Sequence, residues 1–128
     1  MADVNRGNRP LSPHLQVYRL PPMIAGVSIV HRITGVGLGL TAVLVVWWLV
    51  AAATGPDYFR FVDAIMTSWF GDLVLTVSVW AFWFHFLNGI RHLVWDTGRG
   101  LDKMLARKSG MGIVVGSIVL TLVVILAV

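Results

Sequence analysis

Three long apolar runs decide what this chain can fold into. They occupy residues 23–53, 73–95 and 111–128, close to or above the roughly 20 residues a helix needs to cross about 30 Å of hydrocarbon. In that layer no water can satisfy backbone N–H and C=O groups, so only helices or closed barrels are permitted. Alternating barrel strands are absent from the sequence. The chain therefore reads as an all-α membrane protein, a single membrane-anchor domain with three transmembrane helices. Composition agrees: 57% of the 128 residues are hydrophobic and 12% charged, more apolar surface than a soluble domain of this length can hide. There is no cysteine, which excludes disulfides, thiolate-held iron–sulfur clusters and a covalently attached c-type haem in this chain.

Residues 1–22 read as a polar arm. Arg6, Arg9 and Arg19 face one acid, Asp3, and Pro10, Pro13, Pro21 and Pro22 favour an extended or turning path over a long helix. His14 and Tyr18 read as surface residues of that arm. The Pro pair suits a helix start, and Thr54-Gly55-Pro56-Asp57 is a stop signal at the end of the first span. Gly35, Gly37 and Gly39 are expected to allow close helix packing. Between the first two spans, Tyr58, Phe59, Phe61, Trp69 and Phe70 suit a short helix lying in the membrane interface. A basic loop with Arg99, Lys103, Arg107 and Lys108 follows the second span, and Gly112 with Gly116 forms a G-x-x-x-G in the third.

The formal charge of +4 does not point to nucleic acid, because the basic residues sit at the ends of apolar runs, where they set topology. The first connection holds Arg60 against Asp57, Asp63 and Asp72, whereas the arm and the second loop hold nearly all the Lys and Arg. Under the positive-inside rule the N-terminus is cytoplasmic and the C-terminus periplasmic. A polar, proline-rich start followed by so long an apolar run does not read as a cleaved signal peptide.

Spans one and two are then antiparallel, which brings Ser28, His31 and Arg32 to the same membrane side as His85 and His92. His85 lies within Phe82-Trp83-Phe84-His85-Phe86-Leu87, and an ionisable residue at membrane depth is a functional hypothesis by default. His92, seven residues on, falls on nearly the same helix face, and Gly89 between them leaves room for a flat group. Arg91 and Asp96 mark the exit into water. A neutral imidazole in apolar surroundings is a good axial ligand for haem iron, with Arg32 and Arg91 as cations for the propionates and His31 or His92 as donors or ligands. Packing roles for His31 and His92 fit as well. Ser28 and Arg32, one turn apart, could hold a quinone by a hydroxyl donor and a guanidinium that stabilises developing negative charge. A serine bonded to its own helix and an arginine snorkelling to head groups fits the same spacing.

Arg9-Pro10-Leu11-Ser12-Pro13-His14-Leu15, Ser28-Ile29-Val30-His31-Arg32-Ile33-Thr34-Gly35, and His85 with Asn88-Gly89-Ile90-Arg91-His92-Leu93 and Trp95-Asp96 resemble the cytochrome b subunits of succinate dehydrogenase, respiratory complex II. The similarity covers essentially the whole chain. It implies a haem b-binding anchor in the bacterial inner membrane, bundled with a second small anchor subunit and docking an iron–sulfur subunit and a flavoprotein subunit. Electrons from succinate would pass to ubiquinone, joining the tricarboxylic acid cycle to aerobic respiration. By the same resemblance His85 is the axial ligand of the haem iron, with the other ligand from the partner anchor. His31 lies near a haem propionate, Ser28 and Arg32 line the quinone pocket, and His92 lies in the haem vicinity. No residue of this chain is then catalytic, and the chain is no enzyme by itself. The competing readings are a self-contained b-type cytochrome with two ligands from this chain, a structural anchor without redox cofactor, and a small transporter with His85 as proton relay. The last lacks intramembrane carboxylates and an internal repeat.

Overall fold

The computed structural model describes residues 22–128; the N-terminal arm, with His14 and Tyr18, lies outside the described residues. The chain forms α1 (Pro22–Thr54), α2 (Pro56–Met66), α3 (Trp69–Asp96) and α4 (Lys103–Ala127). Three of them, α1, α3 and α4, are long and apolar enough to cross a membrane. Each touches the other two, and α3 packs most extensively on α4. One end of the bundle gathers the start of α1, the end of α3 and the start of α4.

α2 is a strongly amphipathic helix of 11 residues. It buries Val62 and Met66 against Ala51, Trp47, Trp48 and Leu75 and exposes Tyr58, Phe61 and Ile65. Two indoles fasten it to the end of α1: Trp47 Nε1 donates to the Tyr58 hydroxyl at 2.9 Å, and Trp48 Nε1 to Asp63 Oδ1 at 3.1 Å. Asp57 and Arg60 pair on its exposed side. α3 then starts abruptly. Ser68 caps it by accepting from the Gly71 N–H, and a Cβ at Gly71 would lie 2.2 Å from the Met66 carbonyl oxygen. Only glycine lets the two helices turn so tightly.

α4 is longer than its apolar run. Asp102 Oδ1 accepts from the backbone N–H groups of Met104 and Leu105, so the helix begins at Lys103 and carries Lys103, Arg107 and Lys108 in its first turns. The basic loop expected from the sequence is thereby shortened to residues 97–102. That turn is made by Gly98 and Gly100, with φ of 76° and 74°, a region other residues rarely adopt.

Glycines serve the packing selectively. A Cβ at Gly116 of α4 would lie 3.3 Å from Leu87 of α3, and one at Gly110 would touch Val27 and Met23 of α1, but Gly112 faces open space. The face α4 buries is Ala106, Gly110, Ile113, Ser117 and Thr121, spaced by three and four residues as one helix side requires. Gly112 and Gly116 therefore do not act as a pair. Likewise only Gly35 of the Gly35, Gly37, Gly39 run abuts a neighbour, since alternate residues of a helix point 200° apart.

Candidate functional site

α1 and α3 cross with polar side chains between them at two levels. Deeper in the bundle the hydroxyls of Thr41 and Ser78 lie 2.8 Å apart. Two turns nearer the basic end, three imidazoles gather. The rings of His31 and His85 stack with centroids 3.9 Å apart and planes 14° from parallel. His92 tilts over His31 at 5.4 Å and meets Trp95 edge-on at 5.2 Å. The convergence expected of His31, His85 and His92 is present. The rings lie face to face, and among the described residues they do not converge as a metal site of three ligands.

One contact decides the chemistry of His85. Its Nδ1 lies 3.1 Å from the His31 carbonyl oxygen. A carbonyl can only accept, so Nδ1 carries the proton and donates, which leaves Nε2 as the nitrogen with the lone pair. Thr34 supports this arrangement. It is buried, its hydroxyl donates to the same His31 carbonyl at 2.9 Å, and its oxygen stands 3.4 Å from Nδ1. Gly35 provides the clearance: a Cβ there would come within 2.9 Å of His85 Cε1. A carbonyl fixing the far nitrogen is the usual support of a ligating histidine.

The residues present fit a flat, iron-containing group at His85. Its tautomer is the one required, its ring is only half-buried by this chain, and Gly89 borders open space. The His31 Nδ1 is buried and has no hydrogen-bond partner among the described residues. An orphaned imidazole nitrogen beside such a site is suited to an external polar group.

Ser28 is half-buried on α1 and Arg32 is exposed. They share the side of α1 next to His31, as their spacing predicts. Asp96 is exposed at the end of α3.

Arg91 departs from expectation. It is not a cation at the surface but is buried, 8% exposed, on the side of α3 that faces α4. Nη2 donates to the Ala106 carbonyl at 3.0 Å, Nη1 to Asn88 Oδ1 at 3.2 Å, and the guanidinium sits 4.0 Å above the Trp95 ring. Six residues after His85 it lies 600° around the helix, or 120° short of two full turns. Proximity in sequence hid that rotation. Thr34 and Asn88, which is fully buried, were named in the sequence only as members of motifs, and Gly35 only as one of three packing glycines. The roles of Thr34 and Gly35 depend on which α1 turn meets which α3 turn, and Asn88 serves Arg91 on the side facing α4.

The family model described as succinate dehydrogenase/fumarate reductase transmembrane subunit matches residues 5–124. The chain is 53% identical over 126 residues to the succinate dehydrogenase cytochrome b556 subunit of Paracoccus denitrificans, covering 98% of this chain and 96% of that one. It is 36% identical to the cytochrome b556 subunit of Rickettsia conorii, covering 88% of this chain and 87% of that one. It is 33% identical to the mitochondrial succinate dehydrogenase cytochrome b560 subunit of Sus scrofa, over 84% of this chain and 64% of that one. With three apolar spans and bacterial relatives of matching length, it is a multi-pass protein of the inner membrane. The chain belongs to the family of succinate dehydrogenase and fumarate reductase transmembrane subunits, on the cytochrome b side of complex II.

Proposed function

We propose that the chain is the haem b-binding anchor of a succinate:ubiquinone oxidoreductase, with His85 Nε2 as one axial ligand and the second supplied by a partner anchor subunit. The observation that carries this reading is the His85 Nδ1–H donated to the His31 carbonyl at 3.1 Å, which leaves the outer nitrogen basic. A self-contained haem held by two histidines of this chain fits less well. His31 and His85 present their ring faces, not their nitrogens, to each other, so this pair would not hold one iron between them. The half-exposed His85 supports a cofactor completed from outside the chain.

The haem would supply a one-electron acceptor inside the membrane. This chain's own residues bind and orient it. Thr34 and the His31 carbonyl fix the His85 ring, Gly35 admits it, and His31 Nδ1, with His92 and Arg32 nearby, is placed for the propionate end. Ser28 and Arg32 line the ubiquinone pocket, where the hydroxyl donates to a quinone carbonyl and the guanidinium favours the negative charge that reduction builds. The basic end of the bundle faces the cytoplasm, leaving the C-terminus periplasmic, and there docks the iron–sulfur subunit, which in turn carries the flavoprotein. Succinate oxidation and its carbon chemistry belong to those subunits, and this chain holds no catalytic residue.

Ser28→Ala and Arg32→Leu test the quinone assignment in the intact complex. Reduction of ubiquinone should fall by roughly 10-fold or more, the size of a lost charge-assisted contact, while succinate oxidation by an artificial acceptor stays unchanged. Equal loss of both activities would contradict the assignment.

A further inference from the structure

Among the described residues, hydrogen bonds join α1 to α3 at two levels only. One is the level of His85, where Thr34 and the His31 carbonyl meet the ring. The other is the pair Thr41 and Ser78, whose hydroxyl oxygens lie 2.8 Å apart. Thr41 follows Thr34 by seven residues, and Ser78 precedes His85 by seven. Seven residues fall about 20° short of two full turns, so in antiparallel helices both contacts lie on one seam. They are about 10 Å apart along it, at 1.5 Å per residue. The pair stands between two apolar clusters, one around Val27, Phe84 and Ile113 and one around Ala51, Val62 and Met66.

Each hydroxyl also reaches its own helix, Thr41 at the Gly37 carbonyl (3.0 Å) and Ser78 at the Val74 carbonyl (2.7 Å). A hydroxyl has one proton. One of the two therefore donates across the seam, and the other, accepting, donates to its own helix. Either direction gives a chain of two bonds in which each strengthens the other. Lipid tails are as apolar as leucine, so apolar contact alone fixes the rotation of a membrane helix only weakly. The hydroxyl pair fixes it firmly: turning α1 by one residue, roughly 100°, carries Thr41 off Ser78. Held at the His85 level alone, α1 would be free to pivot there. A second bond two turns away removes the pivot.

We propose that Thr41 and Ser78 are positioning residues for His85, holding α1 and α3 in the register that keeps His85 Nδ1 on the His31 carbonyl. The inference rests on the reading of His85 as a haem ligand. A hydrogen bond from Nδ1 makes the ring a more basic ligand, which favours the oxidised iron. Loss of the clasp should weaken that bond and raise the haem midpoint potential. Removing the direct partner of a ligating histidine costs roughly 10–100-fold in affinity, and a contact one step further out falls at the low end. A tenfold change in the preference for oxidised iron is about 59 mV for a one-electron couple.

The test is a redox titration of the haem in the intact complex, followed by its visible spectrum. Thr41→Val keeps the side-chain volume and leaves the Ser78 hydroxyl on the Val74 carbonyl, so no buried polar group is orphaned. Its potential should rise by about that amount at unchanged haem content. Ser78→Ala, which leaves Thr41 on the Gly37 carbonyl, should do the same. Thr41→Ser restores the hydroxyl and should return the wild-type potential. Thr121→Val removes a hydroxyl bonded to its own helix at the Ser117 carbonyl and should leave the potential unmoved. With a His85→Ala complex that has lost its haem signal, a wild-type potential in Thr41→Val and Ser78→Ala would overturn the proposal. So would an equal shift in Thr121→Val. A haem signal that survives in His85→Ala would overturn the ligand reading, and the proposal with it.

Discussion

His85 Nδ1 and the backbone oxygen of His31 stand 3.1 Å apart across the α1–α3 seam. A backbone carbonyl cannot rotate away or change its protonation, so this contact holds one tautomer of His85 wherever α1 and α3 keep their register. Thr34 reinforces it from the same turn of α1, and Gly35 makes the approach sterically possible. The arrangement ties the protonation of the His85 ring to helix packing.

Gly35→Ala should therefore damage the site although it adds one methyl group. The new Cβ would press on His85 Cε1 at 2.9 Å, an overpacking worth about 1–3 kcal/mol, and would turn the ring off the His31 carbonyl. A visible spectrum of the purified complex should show haem lost or its absorption altered. Gly37→Ala, which meets nothing within 4 Å, should leave the spectrum as it is.

Thr34→Val removes a hydroxyl while keeping the volume. Loss of a partner that supports a ligating histidine costs roughly 10–100-fold in metal affinity, so the haem should dissociate more readily during purification, with Thr34→Ser restoring it. Identical haem content in wild type and Thr34→Val would show that the hydroxyl serves the α1 backbone alone.

Arg91→Met should weaken the bundle without touching the cofactor. It deletes the bond to the Ala106 carbonyl and the bond to Asn88, whose Nδ2 already has no partner among the described residues. Hydrogen bonds from a charged donor contribute about 1.5–3 kcal/mol. The complex should melt at a lower temperature with its haem spectrum unmoved, and a spectral shift at unchanged stability would place Arg91 at the cofactor instead.

Gly71→Ala should be the most damaging of the single-methyl changes. Its Cβ would overlap the Met66 carbonyl oxygen at 2.2 Å, and backbone cannot swing aside as a side chain can. The level of assembled complex in membranes should drop sharply. Gly112→Ala, facing open space, should assemble normally.

The spans were legible in the sequence because the length of an apolar run is a property of the chain itself. The meeting of His31, His85 and His92 was legible too, since antiparallel neighbours bring matching depths together. Arg91 was not. Its environment depends on the side of α3 that α4 covers, which no run length encodes. The helical start of α4 was concealed because Lys103, Arg107 and Lys108 resemble loop residues by charge, while the signal that starts the helix is the single cap Asp102. Gly35 differs from Gly37 and Gly39 only through the pairing of α1 with α3. A glycine run records that some close approach exists and not which residue makes it.

The most direct test of His85 as a haem ligand is a reduced-minus-oxidised visible spectrum of the intact complex, beside the same complex carrying His85→Ala. A b-type signal in the wild type and its loss in the variant, with the subunits still assembled, is the expected result. An equal signal in both would contradict it and move the ligand to another residue. No signal in either would make the chain an anchor without haem.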